Sequence, residues 1–284
     1  MIHLLLPAFN EETSIIGLFN KLIDFACKDD LDISVILLDD GSVDKTSELA
    51  ASFSNRLRIT VLKHSINRGL GETARDLFEY AAAHALPSDM IIRMDCDDTQ
   101  DPAIIHLMAE KIKKGEADVV IASRFQKGGG QAGVNTYRAA VSYAANLFMK
   151  MIFPMKSVRD YSSGFRAYRA SLIQDAVKLY GNSFIQLKGL GFTGTLEKLV
   201  KLNLLGAKFS EIGHYLHYDR KRSPSKMISS VTTLGYFTMA FLYHWPFGGW
   251  KYQYKGVSKS YRGDRILFDR LVKKRLKRFQ IISN

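Results

Sequence analysis

Asp95 and Asp97 stand one residue apart in Asp95-Cys96-Asp97-Asp98-Thr99-Gln100-Asp101-Pro102, directly after the apolar run Met90–Met94. Carboxylates packed this closely repel one another unless water, a cation or protein donors neutralise them. In extended backbone, residues two apart point to the same side. Asp95 and Asp97 are therefore placed to share one hard divalent cation, Mg2+ or Mn2+, with phosphate oxygens. A plainer reading gives Asp101-Pro102 to a helix start, where proline suits the first position, and leaves the other acids in water. It accounts for Asp101 but not for Asp95 and Asp97.

Other polar clusters follow the same plan. Pro7-Ala8-Phe9-Asn10-Glu11-Glu12 comes after the apolar run 2–6, Asp39-Asp40-Gly41-Ser42 after 33–38, and Asn67-Arg68-Gly69-Leu70-Gly71 after 58–62. Asp39 and Asp40 can support a turn, with Ser42 or Asp44 capping the next helix. Adjacent carboxylates can also accept from ribose hydroxyls or a base N–H. The lone Gly-x-Gly lacks the third glycine of a dinucleotide fingerprint.

Elements must bring these clusters together. Apolar runs at 2–6, 33–38, 58–62, 90–94 and 117–122 read as strands, and amphipathic segments near 12–27, 43–53, 70–85 and 102–114 read as helices. Such alternation predicts an α/β fold with a mostly parallel sheet covered on both faces. Ligands of such sheets bind beyond the carboxyl ends of the strands, where all four clusters fall. Beyond Phe125, the stretch 126–136 contains three consecutive glycines and predicts a mobile loop. Helices are expected near 136–152, 171–180 and 194–204, and an edge strand within 207–218.

The formal net charge is +12. Residues 219–284 hold 15 Lys/Arg against 3 Asp/Glu, while residues 1–218 hold 25 of each sign. A neutral body with a basic tail points to a polyanionic surface as partner, lipid or nucleic acid. Residues 227–250 lack charged side chains other than His244. Basic segments flank them on both sides, which disfavours a single membrane crossing. Leu267, Phe268, Leu271, Val272, Leu276 and Phe279 recur at helical spacing among cations, the pattern of a helix lying in a membrane interface. The expected division is a catalytic domain over 1–226 and a surface-associated tail over 227–284. Two cysteines and no signal-peptide pattern suggest a cytoplasmic setting.

In their order and spacing, "PAFNEE", "DDGSVDKT", "NRGLGE", "DCDDTQDP", "ASRF" and "SGFRAYR" resemble glycosyltransferase family 2. These enzymes have the GT-A fold, use nucleotide sugars and carry a DxD metal motif. The resemblance is greatest to the dolichyl-phosphate mannose synthase-like branch, which glycosylates polyprenyl phosphates, and it covers residues 1–226. It implies that Pro7, Phe9, Glu11, Asp39, Asp95, Cys96 and Asp97 bind the nucleotide sugar. Asp95, Asp97 and Gln100 would hold Mg2+ or Mn2+, with Asp97 the direct ligand. Arg124 would sit near the phosphates. Arg138, Ser142, Arg220, Ser225 and Lys226 would hold the acceptor phosphate. Thr99-Gln100, Ala122, Ser223 and Pro224 depart from the family pattern.

The resemblance implies inverting transfer to a polyprenyl phosphate on the cytoplasmic face of a membrane. Transfer to a hydroxyl would instead require a carboxylate base, and Asp160 has the position for it. A sugar nucleotidyltransferase is a more distant alternative, opposed by the acidic first loop. A nucleic-acid partner would place phosphodiesters beside carboxylates and leaves the acid cluster unexplained.

Overall fold

The protein is described from a computed structural model, which covers residues 1–223 and 229–277. Its central sheet contains Ile2–Ala8 (β1), Ile33–Asp39 (β2), Arg58–Lys63 (β3), Met90–Arg93 (β4), Val119–Ser123 (β5), Arg166–Arg169 (β7) and Phe209–Gly213 (β8). The order is β3-β2-β1-β4-β7-β5-β8, with β7 antiparallel to both neighbours and every other pair parallel. β1 and β2 are buried along their whole length, as expected of strands covered on both faces.

Helices Glu12–Lys28 (α1), Thr46–Ser52 (α2) and Ile105–Lys113 (α4) lie on one face. Ile15, Leu18, Phe19 and Leu22 of α1 pack there on Leu4, Leu6 and Val35. Leu70–His84 (α3), Ala170–Tyr180 (α6) and Thr193–Leu205 (α7) cover the other face. The chain runs outward from β1 through β2 to β3, then returns to β4 on the opposite side of β1. This reversal opens a crevice where the loops after β1, β2 and β4 meet.

Three features depart from or add to the expected plan. The glycine-rich stretch contains a short strand, Gly130–Ala132 (β6), paired in parallel with Tyr215–His217 (β9). Its glycines are needed for close approach: a Cβ on Gly213 would lie 2.2 Å from the Lys127 carbonyl oxygen, and one on Gly129 would lie 2.4 Å from that of Ser123. β7 is a central strand although two of its four residues are arginines. Arg166 is completely buried and donates to the carbonyls of Thr195 (2.6 Å) and Tyr161 (2.8 Å).

The third change concerns the tail. After Thr136–Ile152 (α5), the later helices are Ser229–His244 (α8), Trp250–Gln253 (α9), Val257–Gly263 (α10) and Arg265–Lys277 (α11). Phe268 and Val272 of α11 are buried in the same core as α6 and α7, together with Met239, Trp250 and Val257. Arg265 grips Asp175 of α6 through two bonds of 2.6 and 2.7 Å. Phe268 and Val272, expected at a membrane, are therefore covered by the protein while Leu267 stays exposed, and the core includes residues beyond 226. Phe279 lies outside the described residues.

Candidate active site

The loops after β1 and β2 are stitched together. Asn10 N donates to Ser42 Oγ (2.8 Å), Glu11 N to Thr46 Oγ1 (2.8 Å) and Val43 N to Asn10 Oδ1 (3.1 Å). Asp39 is fully buried, accepting from Ser42 N at 2.8 Å and from Ser47 Oγ, with Lys63 3.6 Å away. Burial opposes its charge, but Ser42, Ser47 and Lys63 hold its carboxyl below the usual range. Asp39, expected to meet base or ribose, holds this turn. Asp40 ties in the third loop, accepting from Arg68 N (2.9 Å), Gly69 N (2.8 Å) and the His64 ring (2.7 Å). Pro7 is buried within β1, Phe9 is half-buried just beyond it, and Glu11 is buried.

Each acid of the cluster after β4 has a separate partner. Asp95 pairs with Arg93 at 2.6 Å, and both ends of the Gln100 amide meet it: Nε2 donates to Oδ2 (2.6 Å) and Oε1 accepts from Asp95 N (2.9 Å). Gln100, expected among the metal ligands, thus orients Asp95. Cys96 is buried between the two candidate ligands. Asp98, in left-handed backbone with φ 60°, pairs with Lys21 at 2.7 Å. Asp101 caps the turn Pro102–Ile104 by accepting from Ala103 N at 2.9 Å.

Asp97 accepts from Thr99 Oγ1 (2.7 Å) through Oδ1 and meets Lys221 through Oδ2. Burial opposes its charge, while Lys221 and Thr99 hold the carboxyl below its usual range. Burial likewise opposes the Lys221 charge; Asp97 first, then Glu11 and Asp95, hold the ammonium above its ordinary value. The segment carrying Lys221 is fastened at two more points, His217 N to Thr99 O (2.9 Å) and Ser223 Oγ to Glu11 Oε1 (3.1 Å). Asp95 and Asp97 supply the hard oxygens that Mg2+ or Mn2+ takes. Among the described residues no group of three His, Cys, Asp or Glu is gathered as a metal site. The two carboxylates fit an ion whose remaining positions fall to phosphate and water.

A second knot lies after β5. Arg124 forks onto Asp160 through Nε (2.8 Å) and Nη2 (2.9 Å), and Asp160 also accepts from the backbone of Arg124 (3.1 Å) and Ser163 (2.9 Å). Burial opposes the Asp160 charge, but Arg124 and these N–H groups hold its carboxyl below the usual range. Asp160, the base expected for a hydroxyl acceptor, is completely buried and anchors Arg124. Glu211 of β8 fixes this turn by accepting from the N–H groups of Arg159 (2.6 Å) and Asp160 (2.8 Å).

Among the acceptor candidates, Arg138 and Ser142 occupy the first two turns of α5, though the Arg138 side chain is not among the described atoms. Arg220 is exposed in the turn Tyr218–Arg220. A hollow of about 430 Å3 lies where the start of α5 meets Tyr218, lined by Gly133, Val134, Asn135, Tyr137 and Tyr218. Ser225 and Lys226 lie outside the described residues. Sequence reasoning missed Lys221, Ser223 and Glu211. Lys221 sits inside the basic run already singled out, but its neighbour Arg220 matched the family pattern and drew the assignment.

Replacing Asp160 by Asn should cost about 3–5 kcal/mol, because it leaves the largely buried Arg124 without its counter-charge. A solvent-facing base would change stability by about 0.5 kcal/mol or less. Since the folded-state pKa is depressed, the wild-type advantage is full above the unfolded carboxylate value of about 3.9. It disappears as pH falls through the lower folded value. Urea unfolding of both proteins at pH 7 and below pH 4 measures the difference.

The model of the family described as "Glycosyl transferase family 2" matches residues 4–176. A dolichol-phosphate mannosyltransferase of Pyrococcus furiosus is 28% identical over 201 residues, covering 70% of this chain; the chain spans about half of that protein, 52% of its length. An undecaprenyl-phosphate mannosyltransferase of Micrococcus luteus is 26% identical over 228 residues, covering 80% of this chain and 87% of that one. Among solved structures, glucosyl-3-phosphoglycerate synthase from Mycobacterium tuberculosis, in complex with Mg2+ and UDP, matches with a TM-score of 0.55 at 18% identity. That match covers 85% of this chain and 78% of the other and shows the GT-A fold. With its motifs on the carboxyl edge of this sheet and the family model spanning most of the chain, the protein belongs to glycosyl transferase family 2.

Proposed function

We propose that this protein transfers a sugar from a nucleoside-diphosphate sugar to a polyprenyl phosphate at a membrane surface, on its cytoplasmic side. The observation that carries this reading is the outer face of α5, the helix bearing Arg138 and Ser142. Tyr137, Val141, Leu147 and Met151 are all exposed on it. α8 lies alongside, with Phe148 and Phe237 rings 5.5 Å apart, and exposes Leu234, Phe237 and Phe241, with exposed Trp245 just after it. An aromatic and aliphatic surface on adjacent helices suits the boundary between headgroups and acyl chains. Lys150 and Lys251, both exposed nearby in sequence, suit anionic headgroups. Among the described residues no helix is long and apolar enough to cross a membrane. The names of the Pyrococcus and Micrococcus relatives, both polyprenyl-phosphate mannosyltransferases, support the same acceptor.

Transfer displaces a nucleoside diphosphate from the anomeric carbon, and negative charge grows on the departing oxygens. Mg2+ or Mn2+, when bound by Asp97 and Asp95, supplies positive charge to those oxygens. The Asp160 fork fixes the Arg124 guanidinium and leaves its Nη1 without a hydrogen-bond partner among the described residues. That edge is the one offered to phosphate. A phosphate acceptor is already anionic and needs positioning rather than a strong base. Asn135, Tyr137 and Tyr218 line the hollow that would receive it, at the start of the helix that carries Arg138 and Ser142 and beside the turn that ends at Arg220. The pairing of Asp160 with Arg124 favours a phosphate over a hydroxyl acceptor.

The purified protein with Mn2+ or Mg2+, given UDP- and GDP-sugars and a short polyprenyl phosphate, should form glycolipid, while the matching polyprenol should not react. Transfer to the alcohol, or neither transfer nor nucleotide binding, contradicts the reading. Membrane contact has its own test. Phe237→Ser/Phe241→Ser should weaken sedimentation with anionic vesicles by about tenfold or more, given about 1.5–3 kcal/mol per buried aromatic. Nucleotide binding measured by calorimetry should be unchanged.

A further inference from the structure

Lys221 is built into the position that a divalent ion would need. Its ammonium pairs with Asp97 Oδ2, and the two side chains are only 12% and 15% exposed. The other oxygen, Oδ1, already accepts from Thr99 at 2.7 Å, so both Asp97 oxygens are engaged. Asp95 is engaged in the same way by Arg93 and Gln100. The contact is not a chance reach of a surface lysine. The backbone before Lys221 is bonded to the acid loop through His217 N and Thr99 O, and two residues after it Ser223, itself 9% exposed, bonds Glu11. Residues 217–223 therefore form a strap fixed across the ends of β1 and β4 at both sides of Lys221.

Two cations cannot share one carboxylate oxygen without strong repulsion. A metal arriving at Asp97 must displace the Lys221 ammonium, and an ammonium left in place must weaken the metal. We propose that Lys221 is a tethered counter-ion that competes with the divalent metal for Asp97, so that metal entry is coupled to release of the 217–223 strap. The inference rests on the metal and nucleotide-sugar reading above. It goes further in naming the group the metal displaces and the segment that moves. In the substrate-free enzyme the lysine keeps the carboxylates compensated; with metal bound, the same ammonium becomes available to an incoming anion.

Coupling between two such sites is reciprocal and typically amounts to roughly 5–150-fold in affinity. Lys221→Met removes the competing charge at similar length. Titration of substrate-free protein with Mn2+, followed by the electron paramagnetic resonance signal of free Mn2+, should show tighter binding by Lys221→Met within that range. Lys221→Arg, which keeps the charge, should stay close to wild type. In the wild-type protein, Mn2+ should also speed hydrogen exchange at the His217 amide, whose bond to Thr99 fastens the strap. Unchanged or weaker Mn2+ binding by Lys221→Met, with wild type binding measurably, overturns the competition and leaves the metal reading standing. Absence of Mn2+ binding in all three proteins at millimolar metal overturns both. A circular dichroism spectrum matching wild type confirms that each variant is folded.

Discussion

Carboxylates held out of water at the end of a parallel sheet must each be compensated, and the architecture of this protein follows from that requirement. Asp39, Asp40, Asp95 and Asp97 sit within two sheet positions of one another, at the ends of β2 and β4 on either side of β1. Left in mutual contact they would repel by several kcal/mol at the effective dielectric of a protein surface. The fold separates them by giving each its own donors. Asp39 receives serines and an N–H group, Asp40 the Arg68 and Gly69 amides, Asp95 an arginine and an amide, and Asp97 a threonine and a lysine. The loops take their shapes from these bonds.

The same logic divides labour within the site. Carboxylates held by backbone, hydroxyl and guanidinium donors, Asp39 and Asp160 above all, fix the shape of their loops. Their partners belong to the loops they shape and hold both carboxyls below the usual range. Asp97 differs because one of its partners is a lysine on a separate segment, which can be exchanged for another cation at little cost to the fold. Arg124 stands between these cases, gripped by Asp160 through Nε and Nη2 while Nη1 has no hydrogen-bond partner among the described residues. Under the proposed function, a fixed arginine supplies charge preorganised for a departing diphosphate.

Much of this was legible from residue types and spacing. Continuous apolar runs marked β1, β2, β3, β4 and β5, and the polar clusters after them marked one edge. Asp101-Pro102 announced its own turn. β7 was not legible, because its arginines are buried only by virtue of carbonyls at Thr195 and Tyr161 that no local pattern reveals. Asp160 looked like a free acid until Arg124, 36 residues earlier, was found on it. α11 has a membrane-like periodicity, yet periodicity identifies an apolar face without saying what covers it. Here the core covers Phe268 and Val272, while the less regular faces of α5 and α8 remain open. Lys221 was hidden by its company, since in a run of cations only coordinates show which one turns inward.

The central claim is that these stitched loops form the donor site. Hydrogen exchange with and without UDP or GDP in the presence of Mn2+ tests it most directly, because it reports location rather than turnover. The account predicts slowed exchange in residues 9–12, 39–46 and 95–101 with the preferred nucleotide, and little change in α10 or α11. Protection confined to other regions, or none with any nucleoside diphosphate at millimolar concentration, would contradict it.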